Sequence, residues 1–109
     1  MLINFDNFEE SAVPSISNRN GAVKAKMYIE QSKKIYMSRI PAGESTGTHV
    51  HTSSSEINYV INGTGKVICN DTTEELVPGL CHYCTKGMTH NIINTGNDDL
   101  VLFTIITEH

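Results

Sequence analysis

Residues 43–63 read GESTGTHVHTSSSEINYVING. His49 and His51 stand two apart in a short stretch that reads as a strand. Side chains on a strand alternate at period two, so both imidazoles point to one face. Their Cβ atoms would lie roughly 6–7 Å apart, within reach of one shared ion. Glu56 follows five residues after His51, which is the wrong parity for an unbroken strand. The segment Thr52-Ser53-Ser54-Ser55 supplies a break, and a turn there lets Glu56 open the next strand facing the same interior. Gly43 and Gly63 bracket the stretch as turn residues, needed where φ is positive or backbone crowds.

Working outward, residues 79–94 read GLCHYCTKGMTHNIIN and bring a third imidazole, His90, just after the Lys86-Gly87 turn. His49, His51, Glu56 and His90 together make a metal-ligand set of three nitrogens and one oxygen. Such a set suits one divalent Mn, Fe, Co, Ni or Zn ion better than Ca or Mg. An octahedral ion held by four protein ligands keeps two positions open. A molecule with two oxygens, such as a keto acid or an enediol, can chelate there. Tetrahedral zinc would be closed off by the same four ligands, whereas catalytic zinc keeps three and a water. The ligand count therefore favours an octahedral ion, and zinc remains open if Glu56 swings away.

The rest of the chain supplies short β-like runs rich in Val, Ile, Thr and Tyr at 23–29, 33–40, 49–51, 57–61, 65–69, 75–77, 81–85, 90–94 and 100–107. Turn signals separate them, among them Pro41-Ala42-Gly43, Asn62-Gly63, Asn70-Asp71, Pro78-Gly79 and Thr95-Gly96-Asn97-Asp98. Nowhere do apolar residues repeat at helical spacing over three turns. Many short strands with regular turns imply an all-β sandwich or barrel. Residues 1–24 are mixed, with turn formers Pro14, Asn18, Asn20 and Gly21, and read as an N-terminal arm ahead of a barrel over 25–109.

The two blocks together resemble the paired motifs of the cupin superfamily. The first matches at Gly43, His49, His51, Glu56 and Gly63, and the second at Gly79, Gly87, His90 and Asn94. The second departs at Thr85, where the family usually has proline, which softens one turn and removes no ligand. The resemblance covers residues 43–94, about half the chain, and the flanking runs fit the rest of a small single-domain cupin. It implies a double-stranded β-helix, or jelly roll, of antiparallel strands with the metal in its mouth. Isomerase, lyase, decarboxylase and dioxygenase chemistries all occur in similar small cupins, so the resemblance does not choose among them.

Asn58 shares parity with Glu56, so it either orients the metal shell or is a buried amide satisfied by backbone. Tyr36, Met37 and Arg39 precede the first block, and any of them could line the cavity, because nothing fixes that strand's inward parity. Cys81 and Cys84 lack the second pair of a zinc ribbon and read as buried small hydrophobes. His82 reads as a structural or surface histidine and His109 as frayed. The acidic pairs Glu74-Glu75 and Asp98-Asp99 read as solvated turns. Late in the chain only Thr104 and Thr107 are available to the cavity, so no acid–base partner stands out.

Bulk properties narrow the function classes. The chain has 109 residues, 39% hydrophobic and 18% charged, which fits one globular domain. The net charge is -4 and the eight Lys and Arg are scattered, so neither nucleic acid nor a membrane surface is an expected partner. No apolar run approaches the roughly 18 residues of a membrane span, and the N-terminus lacks a secretory pattern. Three cysteines cannot all pair within one chain, which fits reduced thiols in a cytoplasm. A lone small barrel exposes an apolar sheet face and two edges, so a homodimer is expected. The leading functional expectation is a metal-dependent enzyme of isomerase, lyase or oxygenase type acting on a small sugar acid or keto acid. The alternative is a binding or sensor module for a small carboxylate or sugar without turnover.

Overall fold

The computed structural model describes residues 1–13, 16 and 21–109. The turn formers Pro14, Asn18 and Asn20 lie outside the described residues. Among the described residues a 3-10 turn at Phe5–Asn7 precedes ten strands. These are β1 Ser11–Ala12, β2 Lys24–Ile29, β3 Lys33–Ile40, β4 His49–Val50, β5 Ser54–Asn62, β6 Gly65–Cys69, β7 Thr72–Leu76, β8 Cys81–Cys84, β9 Thr89–Asn94 and β10 Leu100–Glu108. They form a six-stranded sheet in the order β1-β2-β3-β10-β5-β8 and a four-stranded sheet in the order β4-β9-β6-β7. Every pairing is antiparallel. The two sheets face each other as a jelly roll, and their hydrogen-bonded ladders do not close into a continuous barrel.

Alternation builds the core. On β3, Tyr36, Ser38 and Ile40 are buried while their neighbours are partly exposed. On β10, Leu100, Leu102 and Thr104 are buried in the same way. Ile40, Val60, Val67, Ile92 and Leu100 are fully enclosed between the sheets. Burying such a side chain contributes about 1.5–3 kcal/mol each. Ahead of β2, Val13 and Val23 join this cluster, and β1 pairs with β2 at the sheet edge.

Turns place the strands. Gly43, Gly63, Gly79 and Gly87 all take positive φ. At Gly63 the demand is steric as well, because a Cβ there would lie 2.5 Å from the Asp99 carbonyl oxygen. Asn94, the last residue of the second block, donates through Nδ2 to the carbonyls of Ile40 and Asp98, each at 2.8 Å. Its Oδ1 accepts from the Gly96 amide at 2.9 Å. One side chain therefore satisfies the backbone of the 94–98 turn and ties it to the end of β3.

Several expectations need correction. The break before Glu56 is shorter than Thr52-Ser53-Ser54-Ser55, because β5 already begins at Ser54. The run at 75–77 is displaced to Thr72–Leu76, so Glu74 and Glu75 sit on a strand and not at a turn. They remain exposed because β7 is an edge of its sheet. Cys84 is buried but Cys81 is exposed, as positions three apart on a strand must face opposite sides. His109 is anchored: its amide donates to Ser53 O at 2.8 Å, and its Nε2 lies 2.7 Å from Ser55 Oγ. The cause is the length of β10, which pairs with β5 as far as Glu108 opposite Ser54.

Candidate metal centre

Three strands bring the site together. The β4–β9 pairing sets His49 directly opposite His90. His51 leaves the end of β4, where its amide donates to Met88 O at 3.1 Å. Glu56 arrives from the facing sheet as the third residue of β5. The ligating atoms of His49, His51, Glu56 and His90 all lie within 4.8 Å of one another, a cluster suited to holding a metal ion.

The geometry is that of convergent lone pairs. The Nε2 atoms of His49, His51 and His90 are mutually 3.0–3.1 Å apart. The Nδ1 of His49 lies 3.2 Å from Gly47 O, an acceptor, so that ring carries its proton on Nδ1 and presents a bare Nε2 inward. His51 is fixed by Ser54 Oγ, 2.9 Å from its Nδ1. Glu56 Oε1 stands 3.3 Å from His51 Nε2, and Oε2 stands 3.5 Å from His90 Nε2. One proton cannot satisfy three mutual approaches, whereas one cation satisfies every lone pair aimed at it. The spacing tests the fit. Nitrogens bound at about 2.1–2.2 Å and at right angles stand about 3.0–3.1 Å apart, whereas tetrahedral angles at the zinc–imidazole length of about 2.0–2.1 Å give about 3.3–3.4 Å.

Protonation states agree with ligation. Burial pushes the Glu56 carboxyl up. Hydrogen bonds from His51 and Asn58 and the charges of His90 and His51 outweigh it and hold the group at about 2. Burial pulls His90 down to about 4, so its ring is neutral at pH 7. Ligands must be deprotonated to bind, and both groups already are.

Outside the ligands, Asn58 is 2% exposed and donates through Nδ2 to Glu56 Oε2 at 2.7 Å. Its Oδ1 accepts from Thr104 Oγ1 at 2.7 Å, and Thr104 lies 3.3 Å from Ser38 Oγ. A polar chain therefore runs from the carboxylate across β5, β10 and β3. The cluster opens into a cavity of about 220 Å³. Tyr36, Ser38, Asn58 and Thr104 are among its polar residues, Lys34 and Glu108 also line it, and Ile40, Leu102 and Ile106 are among its apolar residues. Burial, with the charge of Glu56, raises the Tyr36 phenol above its ordinary value, so it stays protonated.

Not every candidate reaches this cavity. Arg39 does not: its parity on β3 is opposite to that of Tyr36 and Ser38, so it lies on the outer face. There it donates from Nη2 to Glu10 at 2.7 Å and from Nη1 to Asp99 at 3.1 Å. Met37 shares that parity and also stays outside. Thr107 lines a shallow outer groove with Tyr83 and His109. His82 is buried behind the cluster, its ring stacked on that of His90 with centroids 5.7 Å apart, and is not among the convergent ligands. Sequence reasoning missed Ser54, Ser38 and Lys34. Ser54 and Lys34 share the inward parity of Glu56 and Tyr36, a signal usable only once that parity is known.

Comparison with known proteins agrees with the fold. The model of the cupin domain matches residues 36–106. An oxalate-binding protein from Thermotoga maritima is 34% identical over 68 residues, which make up 62% of this chain and 56% of that protein, so the match spans little more than half of the relative. A Thermotoga maritima crystal structure described as a predicted oxalate decarboxylase superposes over the whole of both chains with a TM-score of 0.88 at 23% identity. A sugar phosphate isomerase of the cupin superfamily from Silicibacter pomeroyi superposes over 100% of this chain and 76% of its own, with a TM-score of 0.81 at 17% identity. With two facing sheets, a convergent three-histidine and glutamate cluster, and a family model matched across most of its strands, the chain belongs to the cupin family.

Proposed function

We propose that this chain is a metal-dependent cupin acting on a small oxygen-rich carboxylate, such as a keto acid or sugar acid, chelated by an octahedral divalent ion on His49, His51, Glu56 and His90. The observation that carries the reading is the near-equal 3.0–3.1 Å spacing of three Nε2 atoms at the inner end of the cavity. That spacing matches right-angled ligation and leaves room for two further oxygens on the cavity side. Octahedral Mn, Fe, Co or Ni suits it, and tetrahedral zinc would need the rings to stand slightly further apart.

When bound, the ion would polarise a carbonyl and stabilise an enolate or oxyanion. This chain's own residues supply orientation and proton donors. The protonated Tyr36 and the Asn58–Thr104–Ser38 chain face the bound molecule as hydrogen-bond donors and acceptors. This arrangement supports isomerase, lyase or oxygenase chemistry at an oxygen-bearing carbon.

A second reading, capture without turnover, is favoured by one observation. Apart from the ligands, the described polar residues lining the cavity are Tyr36, hydroxyls, the Asn58 amide, Lys34 and Glu108, with no further histidine among them to move a proton near pH 7. Protein loaded with stoichiometric Mn²⁺, Fe²⁺, Ni²⁺ or Zn²⁺ and screened against keto acids, uronates and oxalate separates the two. Product formation establishes the enzyme, and saturable binding without product establishes the binding module. Failure to retain any of these metals removes both. The same reading includes a homodimer, supported by exposed apolar side chains on the outer face of β5 and β8, namely Ile57, Tyr59, Ile61 and Tyr83.

A further inference from the structure

Two thiols continue the rows that carry the metal ligands. On the six-stranded sheet, Glu56 of β5 pairs with Cys84 of β8. On the four-stranded sheet, His90 of β9 pairs with His49 of β4 on one side and with Cys69 of β6 on the other. In each sheet a cysteine therefore stands one strand spacing, about 4.8 Å, beyond a ligand position. Both side chains are buried between the sheets, Cys69 at 7% and Cys84 at 0% exposure. They meet across the gap. Burial pushes the Cys84 thiol up to about 12, helped by the neighbouring Cys69 thiol, with which it hydrogen-bonds, and by the charge of Glu56. Cys84 Sγ also lies 3.8 Å from Met88 O. Access differs between the two. A second cavity of about 380 Å³ is lined by Cys69 together with Leu76, His82 and Met88, and Cys84 is not among its lining residues. It shares no described lining residue with the cavity at the metal cluster. The third thiol, Cys81, borders the second cavity from the exposed face of β8.

We infer that Cys69 and Cys84 are a reversible thiol–disulfide modification site, oxidised by hydrogen peroxide that enters the second cavity, which cross-links the two sheets one strand beyond the metal ligands. It stands whichever molecule the metal holds. The order of events follows from access. Cys69 faces the cavity, so its sulfur attacks one peroxide oxygen and the O–O bond breaks. Cys69 becomes a sulfenic acid and one water leaves. The Cys84 sulfur, already in contact, then attacks the Cys69 sulfur and the S–O bond breaks. The departing hydroxide takes the Cys84 proton and leaves as the second water. The two thiols together lose two hydrogens and two electrons, and one peroxide becomes two waters. Contact between the sulfurs makes the second step intramolecular, which favours it over attack by a thiol from solution. A small dithiol reverses the cross-link by exchange. Cys81 cannot replace Cys84 as the inward partner, because positions three apart on a strand face opposite sides.

Peroxide treatment of the full chain loaded with redox-inert Zn²⁺ tests this by mass spectrometry. After a small excess of hydrogen peroxide and a catalase quench, wild type should lose the mass of two hydrogen atoms. One thiol, Cys81, should remain open to alkylation. Cleavage after Glu74 and Glu75 separates Cys69 from Cys81 and Cys84, and the digest should contain a linked pair of peptides joining Cys69 to Cys84. Dithiothreitol should restore all three thiols. C81S should form the same link as wild type. C84S should stop at a Cys69 sulfenic acid that dimedone traps. If C84S fails to fold, the linked peptides of wild type and C81S decide the matter alone. Oxidation confined to Cys81, a link from Cys81 to Cys69 or to a second chain, or an unchanged mass in the folded protein overturns the assignment.

Discussion

Asn58 and Glu56 sit two apart on the inner face of β5, and the Asn58 amide holds Glu56 Oε2 at 2.7 Å while accepting from Thr104 on its other side. The carboxylate's orientation therefore depends on a residue that touches no ligand nitrogen. Replacing Asn58 with leucine removes the donor and leaves Thr104 without its acceptor. Metal affinity should fall about 10- to 100-fold, as is typical when a ligand loses its supporting hydrogen bond. Stability should fall by about 1–3 kcal/mol. Competition titration with a chromophoric chelator reads the first and urea unfolding the second. An unchanged metal affinity would show that Asn58 is only a packed amide.

His51→Ala and His90→Ala each remove one of three convergent lone pairs. Both variants should purify with less than about a tenth of the wild-type metal content. In the wild type, added metal at about 100 times its dissociation constant should stabilise the fold by about 2.7 kcal/mol. For a domain of this size that raises the melting temperature by roughly 10 °C or more. Elemental analysis and thermal scans check both, and wild-type metal content in the two variants would dismiss the ligand assignment.

The metal-free protein should lose stability in acid. His90 is held neutral by burial, its value lowered from 6.5 to about 4. Between those values the unfolded chain binds more protons than the folded one, so stability rises with pH and is lost as pH falls from about 6.5 to 4. At about 1.4 kcal/mol for each tenfold change in proton affinity, His90 alone accounts for about 3 kcal/mol. Glu56, lowered from 4.5 to about 2, acts in the same direction, and its contribution is lost below pH 4.5. Urea midpoints at pH 7.5, 5.5 and 4 should decline in that order. A flat series would mean that burial does not hold the His90 ring neutral in the fold.

The outer face of β5 and β8 should bury against a second copy. Ile57 and Tyr83 are paired across these strands and are 38% and 57% exposed. Light scattering at micromolar concentration should give twice the chain mass. Ile57→Glu with Tyr59→Lys should convert the protein to a monomer without changing metal content. A monomeric wild type would remove the dimer.

Much of the site was legible in the chain because it depends on local spacing. His49 and His51 share a face through the two-residue strand period, and the glycines at 43, 63, 79 and 87 mark turns that need positive φ. Asn58 inherits the parity of Glu56 for the same reason. Arg39 shows the limit. The stretch Ile35-Tyr36-Met37-Ser38-Arg39 mixes apolar and polar residues at both parities, so no face of β3 is inward by composition.

The sequence alone therefore determined the all-β class, the turns and the shared face of His49 and His51, since each follows from spacing within a strand or at a bend, and its paired motifs named Glu56 and His90 as their partners. Tertiary structure decided which face of β3 and β10 meets the opposite sheet. That choice sent Arg39 outward to Glu10 and Asp99 and turned Lys34 and Tyr36 toward the cavity. The physical reason is that a one-residue change of register exchanges every side chain between core and solvent. Only the burial of Ile40, Leu100 and Leu102 between the sheets selects one register over the other.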